Sequence, residues 1–499
     1  MAKRVLSEPS RTLMEYRLLP GLTRKTTAPE KISLRTPLVY SENEEKKYYL
    51  NIPMVSAAMQ SVSGAQMGIE LAKLGGVAFI FASQAIETQV EMISMIKHHK
   101  AGFVEPQTLT PEMTIKKMYE IRKKTGYSTF PVVDEKNRFL GLISKWDYDI
   151  SLHQDYKVGD RMIKKELIEY GVNISDLSEA NQILLESHKS VLPILDNEGK
   201  LCSLVFRKDI YDQLDYPLEI HDAKKRLLAV AAINTHDYRD RVPALVNQEV
   251  DVLAIDSSDG HSTYQHDAIT WIKSHYPNLP VVAGNIITAE GFNYLVKAGA
   301  RAVKVGMGGG SICITQEQKG TGRGLATSII AIAAERDKYF NESGIYIPVV
   351  ADGGITSTKD ITIALALGAD YVMMGRYFAR MEESPTEKIV VNNRVMKPYW
   401  GEGSARARDW LEKRYYHSQF VEGVEGFVEY TGRLKDNLAE TLAKIKASFS
   451  TCGVKNIKEL HEKAELELVS ALSIREGKVH DIFQTGETSE FSDHQKKDY

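Results

Sequence analysis

The chain is organised around the stretch Val303–Thr315, which reads VKVGMGGGSICIT: a short apolar run, four glycines, then a cysteine. A glycine-rich loop leaves amide N–H and carbonyl groups unpaired, so it can hold an anion, a cation or a nucleotide. A cysteine at the end of such a loop is a candidate nucleophile. The alternative is a glycine hairpin with a small buried cysteine, because free cysteine is among the most buried residues. The glycines favour the first interpretation, and we predict that Cys313 is catalytic.

Around this stretch lie eight short apolar runs, each followed by a helix-like segment. They cover residues 52–59, 76–81, 227–233, 250–255, 280–285, 302–306, 347–351 and 371–374. Nearly all-apolar strands that alternate with helices predict a parallel sheet, because both faces of such a sheet are buried. Eight units fit a closed β/α barrel better than an open doubly wound sheet. We therefore predict an α/β protein with a (β/α)8 TIM barrel.

Polar residues fall at or just beyond the carboxyl ends of these runs, where β/α barrels carry their chemistry. Gln60, Asp256 and Asn285 are examples. A lone Asp-Gly-Gly is most often a plain turn. Here residues 352–354 follow the seventh strand and residues 375–376, Gly-Arg, follow the eighth, which favours a phosphorylated ligand.

Composition limits the other function classes. The chain has 499 residues, too many for one typical core, and its formal net charge is −3. That charge argues against a nucleic-acid partner. Three distant cysteines, Cys202, Cys313 and Cys452, are not a disulfide framework, and no spacing suggests zinc. Without a signal peptide or an apolar run long enough for a bilayer, we expect a cytoplasmic protein with no membrane partner.

The sequence predicts four segments. Residues 1–100 hold an N-terminal arm and the first part of the barrel, and residues 221–380 its remainder. Between them, residues 101–220 contain a tandem repeat, with copies at about 104–155 and 158–216. Residues 381–499 carry an aromatic-glycine cluster and polar sequence without strong periodicity, which suggests a mobile flap and a tail.

These pieces in this order resemble the inosine-5′-monophosphate (IMP) dehydrogenase family, with a tandem CBS (Bateman) module inserted in the barrel. The loop GGGSICIT and Glu402 look closest to the trichomonad type. The resemblance implies NAD-dependent oxidation of IMP to xanthosine 5′-monophosphate (XMP), a step of guanine nucleotide synthesis. A Cys313 thiolate would add to purine C2, hydride would leave to NAD, and water would hydrolyse the thioimidate. Thr315 would assist the water or the thiol, and Arg414 with Tyr415 would activate the water.

The resemblance also implies the ligand contacts. For IMP they are Ser311, Asp352, Gly353, Gly354, Gly375, Arg376, Tyr399, Trp400, Gly401, Glu402, Gly403 and Glu422. For NAD they are Asp256, Ser257, Ser258, Gly306, Met307 and Gly308. A potassium ion would bind Gly308, Gly310 and Cys313, completed by Glu476, Gly477 and Lys478 of a neighbouring subunit. Ligands shared in this way require an oligomer, which in this family is a homotetramer.

The inserted repeat has two open interpretations. Ser144-x-x-Asp147 matches the ribose-binding ending of a CBS module, which implies ATP or GTP as a ligand. Phe206 stands where the second copy should have Ser or Thr. A structural or oligomerisation insert without ligand is the alternative.

Two other functions compete with the dehydrogenase. GMP reductase shares the barrel, the cysteine loop and the phosphate site, but consumes NADPH, releases ammonia and needs no hydrolytic lid. Arg414, Tyr415 and the long segment around them favour the dehydrogenase. A non-catalytic nucleotide sensor built on the CBS pair is the second rival. The residues that argue against it are the intact Cys313, Thr315, Asp352 and Arg414.

Overall fold

Eight parallel strands form a closed barrel in the computed structural model of the chain, which describes residues 5–43, 47–99, 103–104, 106–125, 127–174, 177–207, 216–224, 226–408 and 421–479. The described residues fall into two units. The first comprises those up to residue 97, residues 218–220 and those from 228 onwards; the second lies within 98–217 and 221–227.

The barrel strands, labelled β1 to β8, are Met54–Ser56, Val77–Ile80, Val230–Ile233, Val252–Ile255, Val281–Ile286, Ala302–Val305, Val349–Asp352 and Tyr371–Met374. Each pairs in parallel with the next, and β8 closes the barrel on β1, with Val372 opposite Met54. One strand lies in each predicted apolar run, so the predicted (β/α)8 barrel is confirmed.

Helices follow the strands and cover the outside of the barrel. They are Ala65–Lys73, Ile86–Lys97, Tyr238–Val246, Thr263–His275, Ala289–Ala298, Thr315–Lys319, Leu325–Ser343, Thr358–Ala366 and Arg376–Ala379. Several begin at a side-chain cap: Ser262, Thr288 and Ser357 each accept a hydrogen bond from the amide three residues later. These caps fix where each loop at the carboxyl end of a strand turns into its helix.

Buried ion pairs hold the opposite end of the barrel. Lys97 Nζ lies 2.7 Å from Asp251, just before β4, and Arg336 Nη1 lies 3.1 Å from Asp370, just before β8. Each carboxylate also accepts a backbone amide of a neighbouring strand region. A buried charge is tolerated only when it is paired and hydrogen-bonded, and both ion pairs meet that requirement.

The rest of the first unit surrounds the barrel. Its N-terminal part contains the 3-10 turns Leu13–Glu15, Lys25–Thr27 and Pro29–Lys31, and the strands Tyr16–Leu18, Thr36–Pro37 and Tyr49–Leu50. Its C-terminal part contains a three-stranded antiparallel sheet of Ile389–Val391, Arg394–Trp400 and Glu425–Glu429. Further elements are the helices Ala405–Arg408, Leu434–Cys452, Ile457–Lys463 and Ala471–Glu476 and the strand Leu466–Leu468, which pairs with Tyr16–Leu18. None of the helices in the described residues has both the length and the apolar character to span a membrane.

The second unit consists of two sheets with short helices. The strands Thr129–Val133, Phe139–Ser144 and Ile163–Lys164 form one sheet; Gly171–Val172, Val191–Leu195, Leu201–Phe206 and Phe103–Val104 form the other. The helices are Ile115–Thr125, Ile150–His153, Val158–Arg161 and Leu177–Glu186, with the 3-10 turn Lys165–Leu167.

The two halves of this unit are built alike. Asp134 and Asp196 close equivalent hairpin turns, each accepting hydrogen bonds from the amides two and four residues later. The amides of Phe139 and Leu201 each donate, at 3.0 Å, to a carbonyl in the turn of the other half. These reciprocal bonds relate the halves by an approximate twofold rotation, as expected for a duplicated sequence.

Candidate active site

A cavity of about 230 Å³ opens at the carboxyl ends of the barrel strands. It brings together most residues that the sequence analysis proposed for ligand binding or catalysis. These are Asp256, Ser257, Ser258, Gly306, Met307, Gly308, Gly310, Ser311, Cys313, Thr315, Asp352, Gly353, Gly354, Gly375, Arg376, Tyr399, Gly401, Glu402, Gly403 and Glu422. They come from six segments far apart in sequence: four lie at the carboxyl ends of barrel strands, and residues 399–403 and 422 belong to the C-terminal part of the first unit.

Glycines allow two of these loops to touch. Gly306 has φ +136°, and a Cβ placed on it would lie 1.9 Å from the carbonyl oxygen of Asp352. Gly353 has φ +86°, and a Cβ there would lie 3.3 Å from the amide of Gly310. Glycine alone meets both requirements, so the cysteine loop and the Asp-Gly-Gly loop form one continuous wall of the cavity.

Cys313 begins a chain of polar contacts. Its Sγ lies 3.1 Å from Oγ1 of Thr315, and that hydroxyl donates to Glu422 Oε2 at 3.1 Å. Glu422 Oε1 in turn lies 2.7 Å from Nζ of Lys319. Because the threonine's single proton goes to the carboxylate, its oxygen is left to accept from the thiol. The chain therefore points the thiol proton towards Glu422, as activation of a nucleophile requires.

The cysteine loop is paired with the C-terminal part of the first unit. The amide of Ile314 donates to the carbonyl of Glu422 at 3.0 Å, and the amide of Val424 donates to that of Ile312 at 3.0 Å. The amide of Glu422 itself donates to Gly403 at 3.1 Å. Three segments are thus joined by backbone hydrogen bonds, which fixes the position of the cysteine between them.

A buried charge cluster lies beside the loop. Asn285 Nδ2 donates to Asp352 Oδ2 at 2.8 Å and to the carbonyl of Gly306 at 2.9 Å. Burial raises the pKa of Asp352, while the charge of Lys304 and the Asn285 hydrogen bond oppose that rise. Lys304, itself buried, places Nζ 3.9 Å from Asp256. The amide and the ammonium together fix two carboxylates at the cavity wall.

The predicted phosphate end is narrow. Gly375 and Arg376 line it, and a Cβ on Gly375 would lie 2.7 Å from the hydroxyl of Tyr399. Burial raises the pKa of Tyr399 far above its usual value, against the nearby charge of Arg376. The phenol therefore keeps its proton at neutral pH and can donate a hydrogen bond.

Glu402 is held by the loops after β1 and β2. Its carboxylate accepts the amide of Gln60 at 2.7 Å and the hydroxyl of Ser83. Trp400 donates its indole N–H to the side chain of Gln60 at 2.9 Å, and its ring lies 4.0 Å beneath the guanidinium of Arg406. Trp400 is buried but, unlike its neighbours, is not part of the cavity wall, and its contact with IMP stays a prediction.

Other predicted residues lie elsewhere. Glu476, Gly477 and Lys478 end the helix Ala471–Glu476, which packs against the turn Leu13–Glu15 and not against the cavity. Their role in cation binding stays a prediction. Arg414 and Tyr415 lie outside the described residues.

The structure adds residues to which sequence reasoning gave no role. Lys304 had a visible signal, a lysine inside an otherwise apolar strand. Lys319 and Ser83 had none, because their partners are distant in sequence. Asn285 was placed at the strand ends but its contact with Asp352 was not foreseen.

Comparison with known proteins decides the family. The IMP dehydrogenase / GMP reductase domain matches residues 11–480. The chain belongs to the IMP dehydrogenase / GMP reductase family. The predicted family and the predicted class of enzyme, an NAD-dependent oxidoreductase, are thereby confirmed.

Relatives resemble the chain over almost its whole length. It is 48% identical over 487 residues to the inosine-5′-monophosphate dehydrogenase of Tritrichomonas foetus, covering 95% of this chain and 97% of that protein. The Aquifex aeolicus inosine-5′-monophosphate dehydrogenase is 38% identical over 456 residues, covering 89% and 92%. Among solved structures, a cysteine-to-alanine variant of GMP reductase from Trypanosoma brucei, in complex with guanosine 5′-monophosphate, aligns with a TM-score of 0.81 at 26% identity. That alignment covers 96% of this chain and 99% of the reductase.

Proposed function

We propose that this protein is an IMP dehydrogenase that oxidises IMP to XMP with NAD, in guanine nucleotide synthesis. The observation that carries the proposal is the contact chain from Cys313 through Thr315 to Glu422, placed in one cavity with Asp352 and Arg376. The relatives named as IMP dehydrogenases support the same substrate.

The first step forms a bond between sulfur and carbon. The thiol of Cys313 gives up its proton along the chain through Thr315 to Glu422, and the thiolate adds to C2 of the purine. The resulting tetrahedral carbon expels hydride, which takes its electron pair to the nicotinamide ring of NAD⁺. A thioimidate between Cys313 and C2 remains.

The second step breaks that bond with water. After NADH leaves, water adds to C2, the C–S bond breaks, and XMP and the free thiol result. Arg414 and Tyr415 are the proposed activators of that water. Thr315 is the described hydroxyl nearest the sulfur, at 3.1 Å, and can exchange a proton with the water or the thiol.

The cavity wall suits both ligands. Asp352 would accept the ribose hydroxyls of IMP, and Ser311, the Gly353–Gly354 amides, Gly375 and Arg376 would hold its phosphate. The base would meet Gly401–Gly403 and Glu422. For NAD, the carboxylate of Asp256 is held near Lys304 and can accept hydrogen bonds from ribose hydroxyls. Residues 257–258 and 306–308 line the cavity with it and would complete the NAD site.

A monovalent cation site at the cysteine loop fits the donors present. The carbonyl of Gly310 accepts the amide of Cys313 at 3.1 Å, which leaves one lone pair for a cation. Potassium would bind the carbonyls of Gly308, Gly310 and Cys313, and those of Glu476, Gly477 and Lys478 in a second copy. Ligands supplied by a second copy require an oligomer, and we propose the homotetramer that the resemblance to the family implies. We expect potassium to raise the rate over choline at equal ionic strength, and light scattering to give four times the chain mass.

The inserted unit is proposed to be a CBS module that binds ATP or GTP. Asp147 accepts the amide of Ser144 at 2.6 Å, so the proposed ribose-binding turn is formed. Isothermal calorimetry with each nucleotide tests this, with Asp147→Ala as the variant that should abolish the heat. Absence of heat with the unmodified chain would leave the insert a structural element.

One assay decides between the candidate functions. Purified protein with IMP, NAD and potassium should generate NADH absorbance, and Cys313→Ala should abolish it. Cys202→Ala, which removes an exposed thiol from the other unit, is the control and should keep the full rate. NADPH consumption with GMP would indicate the reductase. No activity in either assay would indicate the nucleotide sensor. Mass spectrometry of enzyme quenched during turnover should show a nucleotide adduct on Cys313.

A further inference from the structure

Lys397 is a buried lysine that the proposed mechanism does not use. It lies in the strand Arg394–Trp400, and its side chain is only 1% exposed. Its Nζ donates to the carbonyl oxygens of Met381 at 2.7 Å, Ser384 at 3.1 Å and Glu382 at 3.3 Å. Three carbonyls match the three protons of an ammonium. A buried ammonium is tolerated only with such compensation, so the three carbonyls are what allow a lysine at this position.

These contacts join the strand that carries Tyr399 to the segment that follows the predicted phosphate end. Residues 381–384 follow the short helix Arg376–Ala379, which begins at the predicted phosphate end. Tyr399 stands two residues after Lys397 in the same strand, so both side chains lie on the same face. Because the Tyr399 hydroxyl approaches Gly375 so closely, a small shift of the strand would change the width of the phosphate end.

We propose that Lys397 is a positioning residue for nucleotide binding, whose ammonium holds the strand of Tyr399 against the turn that follows the Gly375–Arg376 phosphate end. It touches no ligand itself. The inference rests on the proposed function for the identity of the occupant, a purine nucleoside 5′-monophosphate.

The carboxylate of Glu382 is engaged by other side chains, so the ammonium of Lys397 depends on the three carbonyls. Glu382 pairs with Lys388 at 2.8 Å and accepts the hydroxyl of Tyr430 at 2.5 Å, while its own carbonyl faces Lys397. Burial lowers the pKa of Lys397 to about 8, with Glu382 and Glu383 opposing that change and Lys388 reinforcing it. A neutral amine would turn its lone pair towards a carbonyl, so the contact should weaken in alkaline solution.

The test compares two charge-removing substitutions in the same region. Lys397→Met keeps an unbranched apolar side chain out to Cε and removes the ammonium, whereas Lys388→Met removes an exposed ammonium, 47% accessible. For Lys397→Met we expect the KM for IMP to rise about tenfold, less than the roughly 10²-fold that a misplacement of about 1 Å can cost, because the ammonium acts on the site only through the strand of Tyr399. The KM for NAD should stay within about twofold, because its predicted residues lie on other loops. Lys388→Met should match the unmodified enzyme.

A pH profile separates positioning from mere stability. Ionisation of the substrate changes the KM for IMP equally in all three proteins. Between pH 7 and 9 we expect a further rise of that KM in the unmodified enzyme and in Lys388→Met, and no further rise in Lys397→Met. If Lys397→Met does not fold, Lys397→Arg takes its place. A guanidinium keeps its charge over this pH range, so Lys397→Arg should also show no further rise in the KM for IMP.

A folded Lys397→Met with the KM for IMP of the control, or profiles that are parallel in all variants, would overturn the inference while NADH formation upheld the proposed function. If the unmodified enzyme forms no NADH, the proposed function fails instead. Calorimetric titration with IMP then tests the inference alone, and equal affinity of Lys397→Met and Lys388→Met would reject it.

Discussion

Replacing Gly306 with alanine is the sharpest test of the joined loops. The residue follows β6 with φ +136°, and an added Cβ would lie 1.9 Å from the carbonyl oxygen of Asp352. Ordinary contact begins near 3.4 Å, so the loops must separate by 3.4 − 1.9 = 1.5 Å. The obstacle is backbone, which cannot rotate away as the end of a side chain can. The substitution therefore displaces the cysteine loop from the Asp-Gly-Gly loop.

The size of that displacement sets the expected loss of activity and of stability. A misplacement of about 1 Å costs roughly 10²-fold in rate, so kcat/KM should fall at least about 100-fold. Each tenfold loss corresponds to about 1.4 kcal/mol of transition-state stabilisation, or about 2.7 kcal/mol in all. The unfavourable backbone conformation adds about 1–3 kcal/mol to the cost of folding. The melting temperature should therefore fall together with the activity.

NADH absorbance with IMP and NAD measures the loss of kcat/KM. A second glycine serves as a control that separates the effect of the collision from that of the backbone conformation. Gly320 also has positive φ, +66°, but a Cβ there meets no atom within 4 Å. Gly320→Ala thus carries the backbone cost, about 1–2 kcal/mol, without the collision. It should lower the melting temperature and retain most of the activity. Gly306→Ala with near-normal kcat/KM, or Gly320→Ala equally inactive, would refute the reasoning.

Three further predictions concern the cavity wall. Thr315→Val removes the hydroxyl between the thiol and Glu422 and should lower kcat by about 10²-fold, with Thr315→Ser retaining most of it; equal loss in both would contradict the proton path. Asp352→Asn should raise the KM for IMP yet increase the melting temperature at pH 7 by about 1–3 °C. Burial raises the pKa of Asp352, so the folded protein is more stable with this carboxyl protonated and loses that stability as the pH rises. The increase in melting temperature caused by Asp352→Asn should therefore vanish on acidification towards pH 4. A lower melting temperature of Asp352→Asn at pH 7 would contradict this prediction. Ser83→Ala leaves one oxygen of Glu402 without its serine donor and should raise the KM for IMP several-fold, whereas Ser83→Thr should not; calorimetry of IMP binding gives an independent check.

The barrel could be predicted because its signal is local. Each strand is a short apolar run, since residues in a parallel sheet are buried on both faces. The helix Leu434–Cys452 also had a local signal that was overlooked: Leu438, Ile445 and Phe449 recur at helical spacing on its buried face. Polar residues between them hid that period when the segment was taken as a whole.

The contacts that complete the site could not be predicted in this way. Glu422 reaches Thr315 across 107 positions, and the carboxylate of Glu402 reaches Ser83 across 319. Such pairs depend on which loops the closed barrel places side by side, and no pattern within a short window encodes it. Lys397 is similar, because a lysine in a half-polar strand predicts a solvated side chain until its carbonyl partners are known.

The hydrogen bond between Gly403 and Glu422 has a consequence for the chain between them. Eighteen residues, 422 − 403 − 1, leave and return at points 3.1 Å apart, at the edge of the cavity. Arg414 and Tyr415, the proposed activators of water, belong to this span in the sequence and are therefore covalently tethered to the cavity edge. A tether of this kind produces a local concentration on the order of millimolar without any binding contact. For the proposed second half-reaction, this tether would keep both side chains available in every turnover.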